Sequence, residues 1–289
     1  MRTLIRNAYH LGIKLAWLVV VPLIRTRIIL SGNPPLITCD RSDGGGAQLH
    51  GRISTIAFAE TLGLKYAHTP LSKVHFMETD EEVERWNTLI KFSKFWPQVN
   101  EKHRIVEVKS LSSLLGKLLF GRWFGNEETL QVEHCHAYTD RFPKRIAELR
   151  PRLRSAFEAS DLAMGQELPL QDVVIHFRGL VGPEDESSPR LSSNSMLRKK
   201  ITIARNLRKA DHSLVICVNP TPELRQVLDE TFVLDAGSDV QTAFMFLARA
   251  KVAILARSSL SYVAALLNPN TVFYETFWHP KMPDWKSVE

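Results

Sequence analysis

The sequence is short of cysteine, of long apolar runs and of the usual nucleotide-binding glycine patterns, and each shortage removes a class of protein. Three cysteines in 289 residues, Cys39, Cys135 and Cys217, are odd in number and far apart. They form neither a disulfide framework nor a Cys-x-x-Cys zinc pair. Cys39 and Cys217 sit in the apolar runs LITC and SLVICV and read as buried strand residues, which suits a reducing compartment better than an oxidising one. The glycines do not make GxGxxG, and there is no GxxxxGK[ST] phosphate loop, so an ATPase reading has no support. With 14 glycines and 15 prolines, collagen-like and low-complexity chains are excluded. A composition of 44% hydrophobic and 24% charged residues is that of a folded globular protein rather than a disordered one.

Acid is missing from the first 39 residues, which carry Arg2, Arg6, Lys14, Arg25 and Arg27. From Asp40 onward acids and bases nearly balance. The formal charge of +6 is therefore mostly an N-terminal property and gives no argument for nucleic-acid binding. Beside those bases lies LAWLVVVPLI, residues 15–24. It is about half as long as the roughly 20 apolar residues of a spanning helix, and Pro22-Leu23-Ile24-Arg25 offers no small-residue cleavage site. Residues 1–30 are expected to form a basic, apolar helix lying on a membrane face, with a plain structural helix and a signal or anchor as open alternatives. The expected location is cytoplasmic, peripheral at a membrane.

What is present is a regular alternation of strands and helices. PLITC (35–39) reads as a strand, DRSDGGGAQLHGR as a loop, 52–62 as a helix and 64–68 as a second strand, a unit that points to a parallel sheet. Residues 79–96 read as a helix with Thr79 and Glu82 forming a capping box; 111–120 and 143–159 are further helices, and 130–135 a strand. The stretch DLAMGQELPL (161–170) reads as a linker. From 172 to 274 the order β-α-β-α-β-α-β recurs, as in a doubly wound domain that binds ligands beyond the carboxyl ends of its strands. This gives residues 1–30 as an N-terminal segment, 31–165 as a first α/β domain and 166–289 as a second.

Three strand-end loops carry the chemistry. Gly44, Gly45 and Gly46, between Asp43 and Gln48, let backbone approach a ligand and present N–H groups to an anion. His176 and Arg178 alternate with Phe177 at the end of DVVIH and face the same way; an Arg there suits bidentate capture of phosphate or carboxylate. Arg257-Ser258-Ser259 leads into a helix, with Ser258 or Ser259 as its cap and its first N–H groups available to a pyrophosphate. Asp235 and Asp239 offer carboxylates for ribose or base N–H groups, and Asn219 ends the SLVICV strand. Each has a plainer alternative: a glycine turn, an interdomain salt bridge, a helix cap. His134 and His136 would share a strand face, but further ligands for a metal are lacking. Trp86, Phe92, Phe95 and Trp96 read as packing residues. The basic run Arg198-Lys199-Lys200 to Lys209 reads as a solvated helix face.

In combination, SDGGGAQLHGRISTIAFAETLGLKY, VVIHFRG and VLDAGSDVQTAFMFLARAKVAILARSSLSYVAALLN resemble, in order, the glycine loop, the H-x-R motif and the D-x-x-x-D…S-S region of the GDP-fucose-dependent fucosyltransferases. The resemblance spans residues 42–274 and is weakest between 70 and 165. It implies the GT-B arrangement, two Rossmann-like domains facing across a cleft. It also implies a GDP-sugar donor, a glycan acceptor, and neither metal nor cofactor. Arg178 would grip the donor β-phosphate, His176 shape the donor site, Asp235 read the guanine, Ser258 and Ser259 meet the pyrophosphate, and Gly44, Gly45 and Gly46 close over it. Gln48, Asn219 and Asp239 complete the donor-binding set; Asp43 and His176 are the candidate bases. The chain departs from the pattern at Ala47, Gly179, Val181, Arg257, Tyr262 and Val263. A transferase using another nucleotide sugar and a non-catalytic nucleotide- or glycan-binding protein are the alternatives.

Overall fold

A computed structural model describes residues 2–75, 79–121, 128–165, 170–178, 188, 190–207, 213–217 and 220–289. The elements run α1 (Arg2–Ser31), β1 (Leu36–Cys39), α2 (Gly45–Leu62), β2 (Lys65–Tyr66), α3 (Asp80–Asn87), β3 (Arg104–Glu107), α4 (Leu111–Phe120), β4 (Glu128–Val132), α5 (His136–Thr139), α6 (Lys144–Glu158) and α7 (Asp161–Gly165). They continue as β5 (Val173–His176), α8 (Asn194–Leu207), β6 (Ser213–Ile216), α9 (Pro222–Val227), β7 (Phe232–Asp235), α10 (Val240–Arg249), β8 (Val252–Ile254), α11 (Ser259–Leu267), β9 (Thr271–Tyr274) and β10 (Lys286–Ser287).

Two compact units interleave along the chain. The first takes Met1–Arg41, Gly51–Thr69 and Trp96–Ile146; the second takes Ser42–His50, Pro70–Phe95 and Ala147–Glu289. The sequence reading places one boundary between 165 and 166, whereas here the glycine segment and α3 join the C-terminal unit.

The first unit holds a four-stranded parallel sheet in the order β2-β1-β4-β3. Its helix α1 turns Trp17, Ile24 and Ile28 inward, spaced by seven and four residues so that they share one helix face. The Trp17 ring meets Tyr138 edge-on at 4.8 Å. Arg27 donates to the carbonyls of Leu118, at 3.0 Å, and Gly121, placing its charge on the negative end of α4. The opposite face leaves Leu15, Leu18, Val19 and Leu23 more than half exposed. Among the described residues no helix is long and apolar enough to cross a membrane.

The second unit holds six parallel strands in the order β10-β9-β8-β5-β6-β7. Counted within that sheet, this is the doubly wound order 3-2-1-4-5-6, which reverses between β5 and β8. All four residues of β5 and of β6 are buried, the continuous apolar run of strands covered on both faces. Val173, Ile175 and Phe177 pack with Leu197, Ile201 and Ala204 of α8 in one core.

Four expectations change. Helix α2 starts at Gly45, not Arg52, so residues expected in a loop form its first turns. The helix expected over 79–96 stops at Asn87, although its Thr79–Glu82 capping box forms. The Asn87 side-chain amide accepts from Leu71 N–H and donates to Leu71 C=O, fixing that end to the preceding segment. The edge strand β3 escapes notice because its residues are mostly exposed and show no alternating apolar pattern. β10 has only two residues.

Candidate functional site

In a doubly wound sheet the ligand crevice lies outside the carboxyl ends of the strands, where the strand order reverses. Here β5 and β8 flank that point, with Ile175 paired to Ile254. Arg178 and Arg257 each stand three residues beyond that pair. A cavity of about 280 Å³ opens at the same edge, lined by Phe177, Arg178, Ser192, Ser193 and Asn194 and, beyond β6, by Cys217, Thr221 and Glu223. Helix α8 starts on its wall, Ser193 Oγ accepting from the Met196 N–H.

His176 ends β5 and is 8% exposed. Burial, reinforced by the charges of Lys200 and Arg178, pushes its pKa down to about 3. The imidazole is therefore neutral at neutral pH, and so acidic a conjugate acid makes it a poor base for a hydroxyl proton there. A pKa pushed this far down weighs against His176 as a general base.

The three glycines do different work. A Cβ on Gly45 would fall 2.3–2.5 Å from the Trp86 indole, and one on Gly46 2.5 Å from the Leu260 backbone nitrogen; on Gly44 it would meet nothing within 4 Å. Only glycine lets the first turn of α2 lie this close to α11. The N-terminal ends of both helices thus meet, each carrying positive dipole and unsatisfied N–H groups. Ser258 occupies the N-cap position of α11 but its side chain makes no capping hydrogen bond, a correction to the cap expected there. It is Ser261 that turns back, donating to the Ser258 and Ala256 carbonyls. Ser259 opens the helix and is buried.

Gln48 is buried and donates to the carbonyls of Asp43 (2.7 Å) and Lys73 (2.6 Å), tying the segment before α2 in place. Asp43 itself is half-buried. Asp235 accepts from the Gly237 and Ser238 N–H groups and from the Ser238 hydroxyl. Asp239 caps α10 by accepting from Thr242 N–H at 2.8 Å. Both carboxylates therefore have local roles in their loop. Asn219, with Gly179 and Val181, lies outside the described residues.

Sequence reasoning missed the group behind the cavity. Lys200, expected on a solvated face, is fully buried, with its ammonium 2.5 Å from the equally buried Glu275. The signal was available: positions 197, 200, 201 and 204 form one helix face, and three of them are apolar. Arg257 Nε lies 2.8 Å from the other Glu275 oxygen. Of the aromatic set, Trp86, Phe92 and Trp96 are buried while Phe95 is 39% exposed. In the first unit, β4 ends at Val132, so His134 and His136 do not share a strand face; their rings stack at 4.4 Å.

No family model matches the chain, and no curated protein does. Among solved structures, the chain is similar to POFUT1 in complex with GDP, at 11% identity over 88% of this chain and 98% of that one, with a TM-score of 0.43. It is similar to the fucosyltransferase NodZ from Bradyrhizobium, at 13% identity over 86% and 96% with a TM-score of 0.45. It is also similar to the E. coli heptosyltransferase WaaC with ADP-2-deoxy-2-fluoro heptose, at 10% identity over 88% and 92% with a TM-score of 0.41.

Proposed function

We propose that this protein is a metal-independent glycosyltransferase of GT-B type that moves fucose from GDP-fucose to a hydroxyl of a glycan. One observation carries the reading. The strand order reverses between β5 and β8, where Arg178 follows one strand and the uncapped start of α11 follows the other. The first turn of α2 lies against that start. Two helix N-termini and a guanidinium at one sheet edge suit a diphosphate.

The chemistry follows from that placement. The bond from the sugar anomeric carbon to the diphosphate oxygen breaks, and negative charge develops on the departing GDP. Preorganised donors at the oxygens that gain charge stabilise the transition state without a metal. Arg178 supplies a planar fork for this role, and Ser258 and Ser259 lie where the first N–H groups of α11 point. The acceptor oxygen attacks as its proton leaves to a base. With burial making His176 a weak base, the Asp43 carboxylate, just before α2, takes that role in our reading.

We further propose that α1 attaches peripherally to anionic lipid. The exposed face bearing Leu15, Leu18, Val19 and Leu23, in a segment rich in bases and free of acids, supports this.

The deciding experiment is calorimetric titration of the purified protein with GDP, UDP and ADP, with and without EDTA, followed by a donor-hydrolysis assay with GDP-fucose. The reading requires that GDP binds best, that EDTA changes nothing, and that fucose is released slowly. A preference for UDP or ADP would replace the donor, an absolute need for Mg²⁺ or Mn²⁺ would overturn the mechanism, and tight GDP binding without hydrolysis or transfer would leave a binding protein.

A further inference from the structure

A cluster of buried charge stands directly behind the switch point. Glu275 follows β9, and its carboxylate accepts from Lys200 Nζ at 2.5 Å and Ser192 Oγ at 2.6 Å, while its other oxygen is ion-paired with Arg257, Nε lying 2.8 Å away. Lys200 also donates to Ser192 Oγ at 3.1 Å and lies 5.2 Å from the Phe177 ring centroid. Ser192 and Phe177 are themselves walls of the cavity that Arg178 enters. Two cations, Lys200 and Arg257, face the Glu275 carboxylate at the sheet edge, and Arg257 also lies within electrostatic reach of Glu289. Lys200 and Glu275 are fully enclosed, while Arg257 remains 31% exposed. Burying charge is costly unless it is compensated; Lys200 and Glu275 compensate each other inside, and Arg257 is the member of the cluster that reaches solvent. The neighbouring titratable group, His176, is neutral, and Arg178 adds positive charge.

We propose that Arg257 is a second anion-gripping guanidinium, working with Arg178 across the switch point to hold the two phosphoryl groups of a nucleoside diphosphate. This rests on the donor reading above and deepens it. Register supports the pairing: each arginine is three residues past the hydrogen-bonded strand pair Ile175↔Ile254. Glu275 acts as a positioning residue. Its charge, 2.8 Å from Arg257 Nε, anchors the guanidinium at the sheet edge, and Lys200 fixes Glu275 in turn. A planar fork fixed in this way loses little freedom on binding.

The test is calorimetric binding of GDP, GMP, guanosine and inorganic pyrophosphate to the full chain and to Arg257→Gln and Arg257→Lys, over a series of NaCl concentrations, with thermal unfolding as the check on folding. Arg257→Gln should weaken GDP and pyrophosphate by about tenfold or more. GMP should weaken less, guanosine should not change, and the salt dependence of GDP binding should become shallower. Arg257→Lys, which keeps charge but loses the fork, should fall between. A folded Arg257→Gln protein that binds GDP and pyrophosphate as the unaltered chain does overturns the proposal while leaving the donor reading intact. If the unaltered chain binds pyrophosphate but no GDP, and Arg257→Gln loses it, the two-arginine grip holds and the donor reading fails. If it binds neither, both are wrong.

Discussion

Alanine placed in turn at Gly44, Gly45 and Gly46 separates packing from ligand binding within three consecutive residues. At Gly46 the new methyl group would sit 2.5 Å from the Leu260 nitrogen and 2.8 Å from its Cα. Ordinary contact distances require the two helix ends to part by roughly 1 Å. Backbone cannot step aside as a side-chain tip can, so the cost belongs near the upper end of overpacking, about 3 kcal/mol. The better helix propensity of Ala returns about 1 kcal/mol. A net loss of about 2 kcal/mol should lower the unfolding midpoint by roughly 3 °C in a protein of this size. Gly45→Ala meets the Trp86 ring instead, which can rotate, so a smaller loss is expected. Gly44 has open space and is not among the glycines with positive φ, so Gly44→Ala should be neutral or gain about 0.4–1 kcal/mol through the unfolded chain. Thermal unfolding with and without GDP reads all three. Because the contact at Gly46 also brings the two helix N-termini together, its alanine variant should lose GDP-induced stabilisation as well. A Gly46→Ala protein with unchanged midpoint and unchanged GDP response would refute the described approach of α2 to α11.

Arg178→Lys should keep the fold and lose about two orders of magnitude or more in transfer; near-normal turnover in a folded Arg178→Lys or Arg178→Ala protein would remove the residue from the mechanism. His176 and His68 are both pushed down to about 3, by burial first and then by neighbouring cations, so each stabilises the fold fully above an unfolded value near 6.5 and loses that contribution as pH falls toward 3. Urea unfolding at pH 7.5 and pH 5 should differ by about 2 kcal/mol for each histidine, His176→Gln should shrink the difference, and equal stability at the two pH values would contradict the burial. Leu18→Glu with Leu23→Glu should abolish salt-sensitive sedimentation with anionic vesicles; unchanged sedimentation would dismiss the exposed face of α1 as the contact. Deleting residues 1–30 is the poorer test, because Trp17, Ile24 and Ile28 belong to the first unit's core.

Much of the second sheet was legible in the sequence because its strands are short apolar runs between helices of clear period, and those are local signals. The Thr79–Glu82 capping box, the helix over 111–120 and the strand over 271–274 were read for the same reason: neighbours in sequence decide them. The position of Arg178 was legible as well, since a charged residue just past a wholly buried strand has few places to go but the sheet edge. Tertiary structure decided what depends on residues far apart in the chain. Helix α2 begins at Gly45 because Trp86 and Leu260 leave room only for a helical turn without side chains, and neither is a sequence neighbour. Above all, Lys200, Arg257 and Glu275 come from a helix and two strand ends spread over 75 positions. Leu197, Ile201 and Ala204 mark position 200 as facing inward, but the carboxylate that makes the burial of its charge affordable is delivered only by β9, far away in the chain.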